Sequence, residues 1–180
     1  VVLGKALDDR AGCAQLVDLL RDEYPFDLYA VFTVQEEVGL RGARVAAYHI
    51  APDAAFVLET TVCDDLPKKK DVSPVTRLGA GPASTLADRS VIAAQGLVGL
   101  LRESAEQESI PYQLKAPGAG GTDAGAIHLV REGIPSAVLS TPCRYIHSMA
   151  GLMSLDDFEA GLRLMRAALQ RLTAEHLKRA

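Results

Sequence analysis

Short apolar runs rich in β-formers alternate along this chain with stripes of helical period, and several of the runs end in acids. Residues 1–7 (VVLGKAL) lead straight into Asp8 and Asp9, and residues 28–34 (LYAVFTV) into Glu36 and Glu37. Residues 54–60 (AAFVLET) carry Glu59 near their end, and a run at 137–140 leads through Thr141-Pro-Cys-Arg-Tyr-Ile to His147. Two more runs, at 74–78 and 110–115, read as strands. This alternation predicts an α/β domain of three layers, a largely parallel mixed sheet covered by helices on both faces. It also sets the acids at carboxyl ends of strands, where open α/β sheets bind ligands.

The helices are read from period and caps. Cys13, Leu16, Val17, Leu20 and Tyr24 predict one apolar face after Asp9, stopped by Pro25. A short helix is expected over 43–48 and a longer one over 90–106. A further helix is expected over 124–131, with Thr122 or Asp123 as cap and Gly133 as its end. The last begins at Ser154, with Asp157 in capping-box position and a stripe of Leu155, Phe158, Leu162, Met165, Leu169 and Leu172. The 180 residues suit a single domain with a sizeable core. The abrupt opening, without Met, reads as a fragment of a longer chain.

Composition excludes several classes. Hydrophobic residues make up 48% and the net charge is −4, which argues against disorder, nucleic acid or an anionic membrane as partner. No apolar run approaches the ~20 residues of a membrane helix. Cys13, Cys63 and Cys143 are scattered and lack a CxxC spacing, so they read as reduced thiols in a cytoplasmic protein or as small core residues. Lys68, Lys69 and Lys70 read as solvated surface. Gly118, Gly120 and Gly121 match neither a P-loop nor a dinucleotide fingerprint.

What remains is the acidic set. Asp8, Asp9, Glu36, Glu37 and Glu59 brought to one sheet edge would repel and be costly to desolvate. A divalent cation removes both penalties, and oxygen and nitrogen ligands without thiolate suit Zn²⁺, Co²⁺ or Mn²⁺. Two such ions bridged by a carboxylate form the arrangement used by aminopeptidases. At a strand-to-turn junction both adjacent glutamates can reach one site, so one binds metal while the other moves a proton.

Four blocks, 4–12 (GKALDDRAG), 33–42 (TVQEEVGLRG), 120–124 (GGTDA) and 144–148 (RYIHS), resemble those of the M42 metallo-aminopeptidases, the tetrahedral and glutamyl aminopeptidases and relatives once labelled endoglucanase M. They come in the family's order and span nearly the whole chain. The resemblance implies a zinc-peptidase-like fold and a site of two divalent ions, Zn²⁺ or Co²⁺ with Mn²⁺ also tolerated. Asp8 would bridge the ions, braced by Asp9 across a bond that is often cis in such sites. Glu36 would be the general base, Glu37 and His147 would hold one ion, and Glu59 would stand where many members have an Asp ligand of the second. Thr122 and Asp123 would line or brace the site, with Arg144 and Tyr145 beside it. Peptide substrates and a homo-oligomer are implied as well.

The sequence departs from the family in lacking the histidine ligand that members carry before the Asp-Asp-Arg block and the oligomerisation domain inserted between them. The ion shared by Asp8 and Glu59 is then short of an imidazole, and His49, His128 and His176 all fit structural roles. Two competing readings follow: a two-metal amidohydrolase acting on N-acyl amino acids, and a catalytically silent structural or binding fragment.

Overall fold

A computed structural model describes residues 1–67, 73–117 and 120–178. The three lysines at 68–70 and Gly118 lie outside the described residues. In chain order the elements are β1 (Val2–Gly4), α1 (Leu7–Leu19), α2 (Arg41–Ile50), β2 (Ala55–Val62), β3 (Ala83–Thr85) and α3 (Gln95–Gln107). They continue with β4 (Gln113–Lys115), α4 (Ala124–Ile127), β5 (Ser136–Arg144), β6 (Gly151–Met153) and α5 (Leu155–Arg171). A 3₁₀ turn follows at Ala174–Leu177. No helix among the described residues is long and apolar enough to cross a membrane.

β5 is the spine of the sheet. Along one edge it pairs in parallel with β2 over the full length of β2, from Ala55 opposite Ser136 to Val62 opposite Cys143. It also pairs antiparallel with β3 and then with β6, which in turn pairs antiparallel with β1. β3 and β4 are parallel. The expected α/β architecture is present, but its parallel character is partial, because short returns such as β5 to β6 can only be antiparallel.

Alternation along β2 sends side chains to opposite faces. Phe56 and Leu58 pack with Leu97, Leu101, Leu164 and Met165 of α3 and α5. Ala55 joins Ala47 of α2 with Val130 and Ile134, and Val57 meets Ala124. Helices therefore cover both faces.

Several expected elements take another form. Residues 28–34 form no strand, and 74–78 is irregular. β3 and β6 were not foreseen: each is three residues long, too short to show a period. In α1 the buried residues are Ala11, Gly12, Gln15 and Leu19, whereas Cys13, Val17 and Leu20 are exposed. A small-residue face lets the helix lie close to β2: a Cβ at Gly12 would sit 2.4 Å from the Leu58 carbonyl oxygen. In α5 the stripe is turned toward Ala160, Gly161, Leu164 and Ala168, and Leu155 is exposed. Ser154 caps that helix by accepting from the Asp157 backbone N–H. The Asp157 carboxylate instead accepts from the N–H groups of Gly79 and Gly81, at 2.7 and 2.9 Å. The three cysteines are free thiols, Cys13 exposed and the other two buried.

Candidate metal centre

The site is assembled from four loops at one end of the sheet. In the first, Asp8 and Asp9 have non-helical backbones although they stand at the head of α1, and the bond between them is cis. Asp9 Oδ1 accepts from the Gly12 N–H at 2.9 Å, the geometry of an N-cap. The two acids thus divide the work: Asp9 starts the helix and Asp8 is left to face the site.

The second loop carries the glutamate pair. The carbonyls of Val34, Gln35 and Glu36 accept from the N–H groups of Gly42, Arg41 and Leu40. This tight return has Gln35 at φ 61° and Leu40 at φ 57°. Gly42 is required by contact, since a Cβ there would lie 2.4 Å from the Val34 carbonyl oxygen. The return replaces the expected strand end and holds Glu36 and Glu37 at its turn. Just before it, the Thr33 hydroxyl donates to Asp123 Oδ2 at 2.6 Å, tying this loop to the glycine turn.

The third loop follows β5. His147 adopts φ 62° and Tyr145 φ 60°, a backbone region uncommon for non-glycine residues and often found where a site imposes it. His147 Nε2 stands 3.1 Å from Asp8 Oδ2 and 3.5 Å from Glu37 Oε2. Ligand atoms of Asp8, Glu37 and His147 lie within 4.8 Å of one another, the convergence a single cation needs. These three residues fit a divalent ion by position and by donor type.

The fourth loop is the glycine turn. Thr122 is fully buried, and its hydroxyl accepts from the Ala124 N–H at 3.2 Å. Its own N–H donates to the Ser90 hydroxyl, which in turn donates to Asp88. Thr122 is therefore a brace, and Asp123 faces the cavity that the other acids line. Asp88 and Ser90 support the turn. Sequence reading passed over them because they act through backbone contacts with a loop some thirty residues away.

One cavity of about 1080 Å³ is lined by Asp8, Asp9, Glu36, Glu37, Glu59 and His147. Burial pushes the Asp9 carboxyl up to about 8, opposed by the Gly12 N–H and reinforced by Asp8 and Glu36. Burial, then Asp123, Glu37 and Asp8, push Glu36 up to about 7. Asp8 is raised by burial and by Glu37, Asp123 by burial. So many raised carboxyls in one place are what a cation would relieve.

Glu59 differs. It sits on β2 opposite Ser140, whose hydroxyl donates to it at 3.1 Å. Desolvation drives its carboxyl well up, and the Lys115 ammonium works against that rise. Lys115 is only 5% exposed and lines the same cavity. No motif pointed to it.

The two residues expected beside the site adjoin Ile146 and His147 in the chain but do not themselves wall the cavity. Arg144 makes a bidentate pair with Asp65, at 2.7 and 3.0 Å, and Asp65 also accepts from the Leu78 N–H. Neither Arg144 nor Tyr145 is among the residues that line the cavity. The remaining histidines stay out of the site: His128 Nδ1 contacts the Ala124 carbonyl, and His176 takes part in a cap with Thr173.

The family model of M42 glutamyl aminopeptidases matches residues 1–164. A putative aminopeptidase of Acetivibrio thermocellus is 44% identical over 170 residues, which are 93% of this chain and 51% of that protein. The TET aminopeptidase of the marine sediment archaeon Thaumarchaeota archaeon SCGC AB-539-E09 superposes with a TM-score of 0.92 at 43% identity. The match covers 97% of this chain and 50% of that one. The TET1 peptidase of Pyrococcus horikoshii, which can assemble into a tetrahedron or a large octahedral shell, matches with a TM-score of 0.75 at 35% identity. There the match covers 92% of this chain and 49% of that one. The chain thus spans about half the length of the relatives it matches. With the family model matching most of its length, the chain belongs to the M42 family of peptidases.

Proposed function

We propose that this chain carries the catalytic half of a metal-dependent aminopeptidase that removes N-terminal residues from peptides. The observation that carries the reading is the convergence of Asp8, Glu37 and His147 with Glu36 in the same cavity. Asp8, Glu37 and His147 would hold one divalent ion, Zn²⁺, Co²⁺ or Mn²⁺ by donor type. In a complete site Asp8 would be shared with a second ion on the Glu59 side. A divalent ion in this place supplies Lewis acidity that polarises a carbonyl and acidifies water.

The chain's own residues do the rest. Asp9, anchored on the Gly12 N–H, fixes the backbone that presents Asp8. Glu36 takes the proton of the attacking water and returns it to the leaving amine. Its carboxyl, raised to about 7, is suited to both transfers near neutral pH. Asp123 is held by Thr33 and lends its charge to Glu36. The complete polypeptide is expected to form a homo-oligomer, as the Pyrococcus horikoshii relative does.

The test is a metal-stripped and metal-restored preparation of the complete polypeptide assayed on aminoacyl p-nitroanilides. Restored turnover that vanishes in Glu36→Gln, with metal still bound, supports the reading. Full activity in that variant removes Glu36 from the role of base. Cleavage of N-acyl amino acids without action on free amino termini would point instead to the amidohydrolase reading.

A further inference from the structure

One charged group that lines the cavity has no part in the chemistry proposed above. Lys115 ends β4, whose parallel register with β3 sets it opposite Thr85. The strand is held on both sides of this residue. The Gln113 side chain donates to the carbonyls of Arg77 and Gly81, and the Ala116 N–H donates to the Val75 carbonyl at 3.0 Å. The ammonium therefore stands on a fixed base. It shares the cavity wall with Glu59, Gly120 and Gly121. A Cβ at Gly120 would lie 3.8 Å from Lys115 Nζ, so the glycine leaves room beside the charge.

A lysine is seldom buried unpaired, because an ammonium removed from water must find hydrogen bonds elsewhere. Lys115 is 5% exposed, yet among the described residues it makes no hydrogen bond and no close ion pair. Its attraction to Glu59 acts at longer range, and Glu59 has the Ser140 hydroxyl as its own partner. Thr85, its neighbour across the strand pair, is fully buried with a hydroxyl that also lacks a partner. Arg10 lines the cavity too, but it is exposed to water and needs nothing there. A buried, unpaired ammonium on the wall of a cavity is a place for an anion.

We propose that Lys115 selects peptides whose first residue is aspartate or glutamate, its ammonium pairing with the carboxylate of that side chain. The assignment rests on the peptidase reading. An aminopeptidase admits one residue beyond the bond it cuts, and the backbone of that residue is engaged by the reacting groups. Its side chain is then the part of the substrate that reaches an inner wall, while the C-terminal carboxylate of the peptide stays outside. A neutral side chain in the same position leaves the ammonium buried and unpaired, which costs more than a missing contact. The competing role for Lys115 is that of a counter-charge for Glu59 alone.

The test compares the α-p-nitroanilides of glutamate and glutamine, which differ in charge and hardly in shape, on the complete Zn²⁺-loaded polypeptide. kcat/KM should favour glutamate by about tenfold or more, and Lys115→Met should bring the ratio to about one or below. Lys115→Arg, which keeps the cation, should retain part of the preference. A ratio taken on one preparation cancels any change in ion content. Calorimetry with free glutamate and glutamine repeats the comparison without turnover, and the unaltered polypeptide should bind glutamate about tenfold more tightly. Equal handling of the two by the unaltered polypeptide, or a preference that survives Lys115→Met, overturns the proposal and leaves Lys115 as the counter-charge of Glu59. Glutamine bound as tightly as glutamate, with both weakened alike in Lys115→Met, would assign the ammonium to the α-carboxylate and overturn the side-chain assignment. Absence of turnover on every anilide, with the calorimetric preference intact, would sink the peptidase reading and leave the carboxylate site standing.

Discussion

The acidic cluster has two halves that use the same residue types to different ends. On one side Glu37 and His147 close on Asp8, all three from loops, with the imidazole 3.1 and 3.5 Å from the two carboxylates. On the other side Glu59 lies on a regular strand, bonded to Ser140 and balanced by the Lys115 ammonium. The first half brings oxygen and nitrogen donors to one point, whereas the second brings one carboxylate and a cation. A carboxylate's role is set by what surrounds it. Here one half is ready for a divalent ion, and the other is partly neutralised from within.

The largest effect is expected at Glu36, proposed above as the proton carrier. Glu36→Gln should lower kcat of the metal-loaded complete polypeptide by about 10²–10⁴-fold while leaving metal content, read by mass spectrometry, unchanged. Next comes the ready half: Asp8→Asn should weaken Zn²⁺ binding by about a hundredfold in calorimetry, as would loss of the His147 imidazole. The same titration of the unaltered chain is expected to give one tight ion. Two equally tight ions would erase the contrast between the halves.

A smaller change tests the other half directly. Lys115→Met removes the internal cation and should tighten a second, weaker ion by about tenfold. No change there would mean that Lys115 does not oppose a metal.

The raised carboxyls also predict how stability depends on pH. Asp9 and Glu36, near 8 and 7 in the folded chain, hold protons that the unfolded chain has already released. Stability of the metal-free chain is therefore greatest below about 4 for these groups and is lost as pH rises toward 7–8. Thermal melts across that window should show the fall, and Zn²⁺ added at pH 7 should reverse it. The smallest effect is expected outside the cluster. Arg144→Lys breaks the two-point pair with Asp65 and should lower Tm by a few degrees without altering metal affinity; a change in KM would return Arg144 to substrate binding.

What could be read in advance follows from the range of the interactions. The N-cap at Ser154 is local and was foreseen, as was the sharp turn after Glu37. The face of α1 was not, because Cys13, Val17 and Leu20 give a good apolar period while the close approach of β2 selects Ala11, Gly12 and Gln15. The segment 28–34 has the residues of a strand but lacks a neighbour to pair with, and a strand is defined by its ladder. Lys115 sits in an unremarkable run and gains its meaning only from burial beside Glu59.

The sequence by itself determined which groups can do chemistry, in what order they come and which segments are apolar enough to carry them, since those are properties of residues and their near neighbours. Only the tertiary structure decided which groups meet. His147 reaches Asp8 across 139 positions and Thr33 reaches Asp123 across 90, and contacts of that separation are set by the packing of the sheet between its helices, which no local pattern encodes.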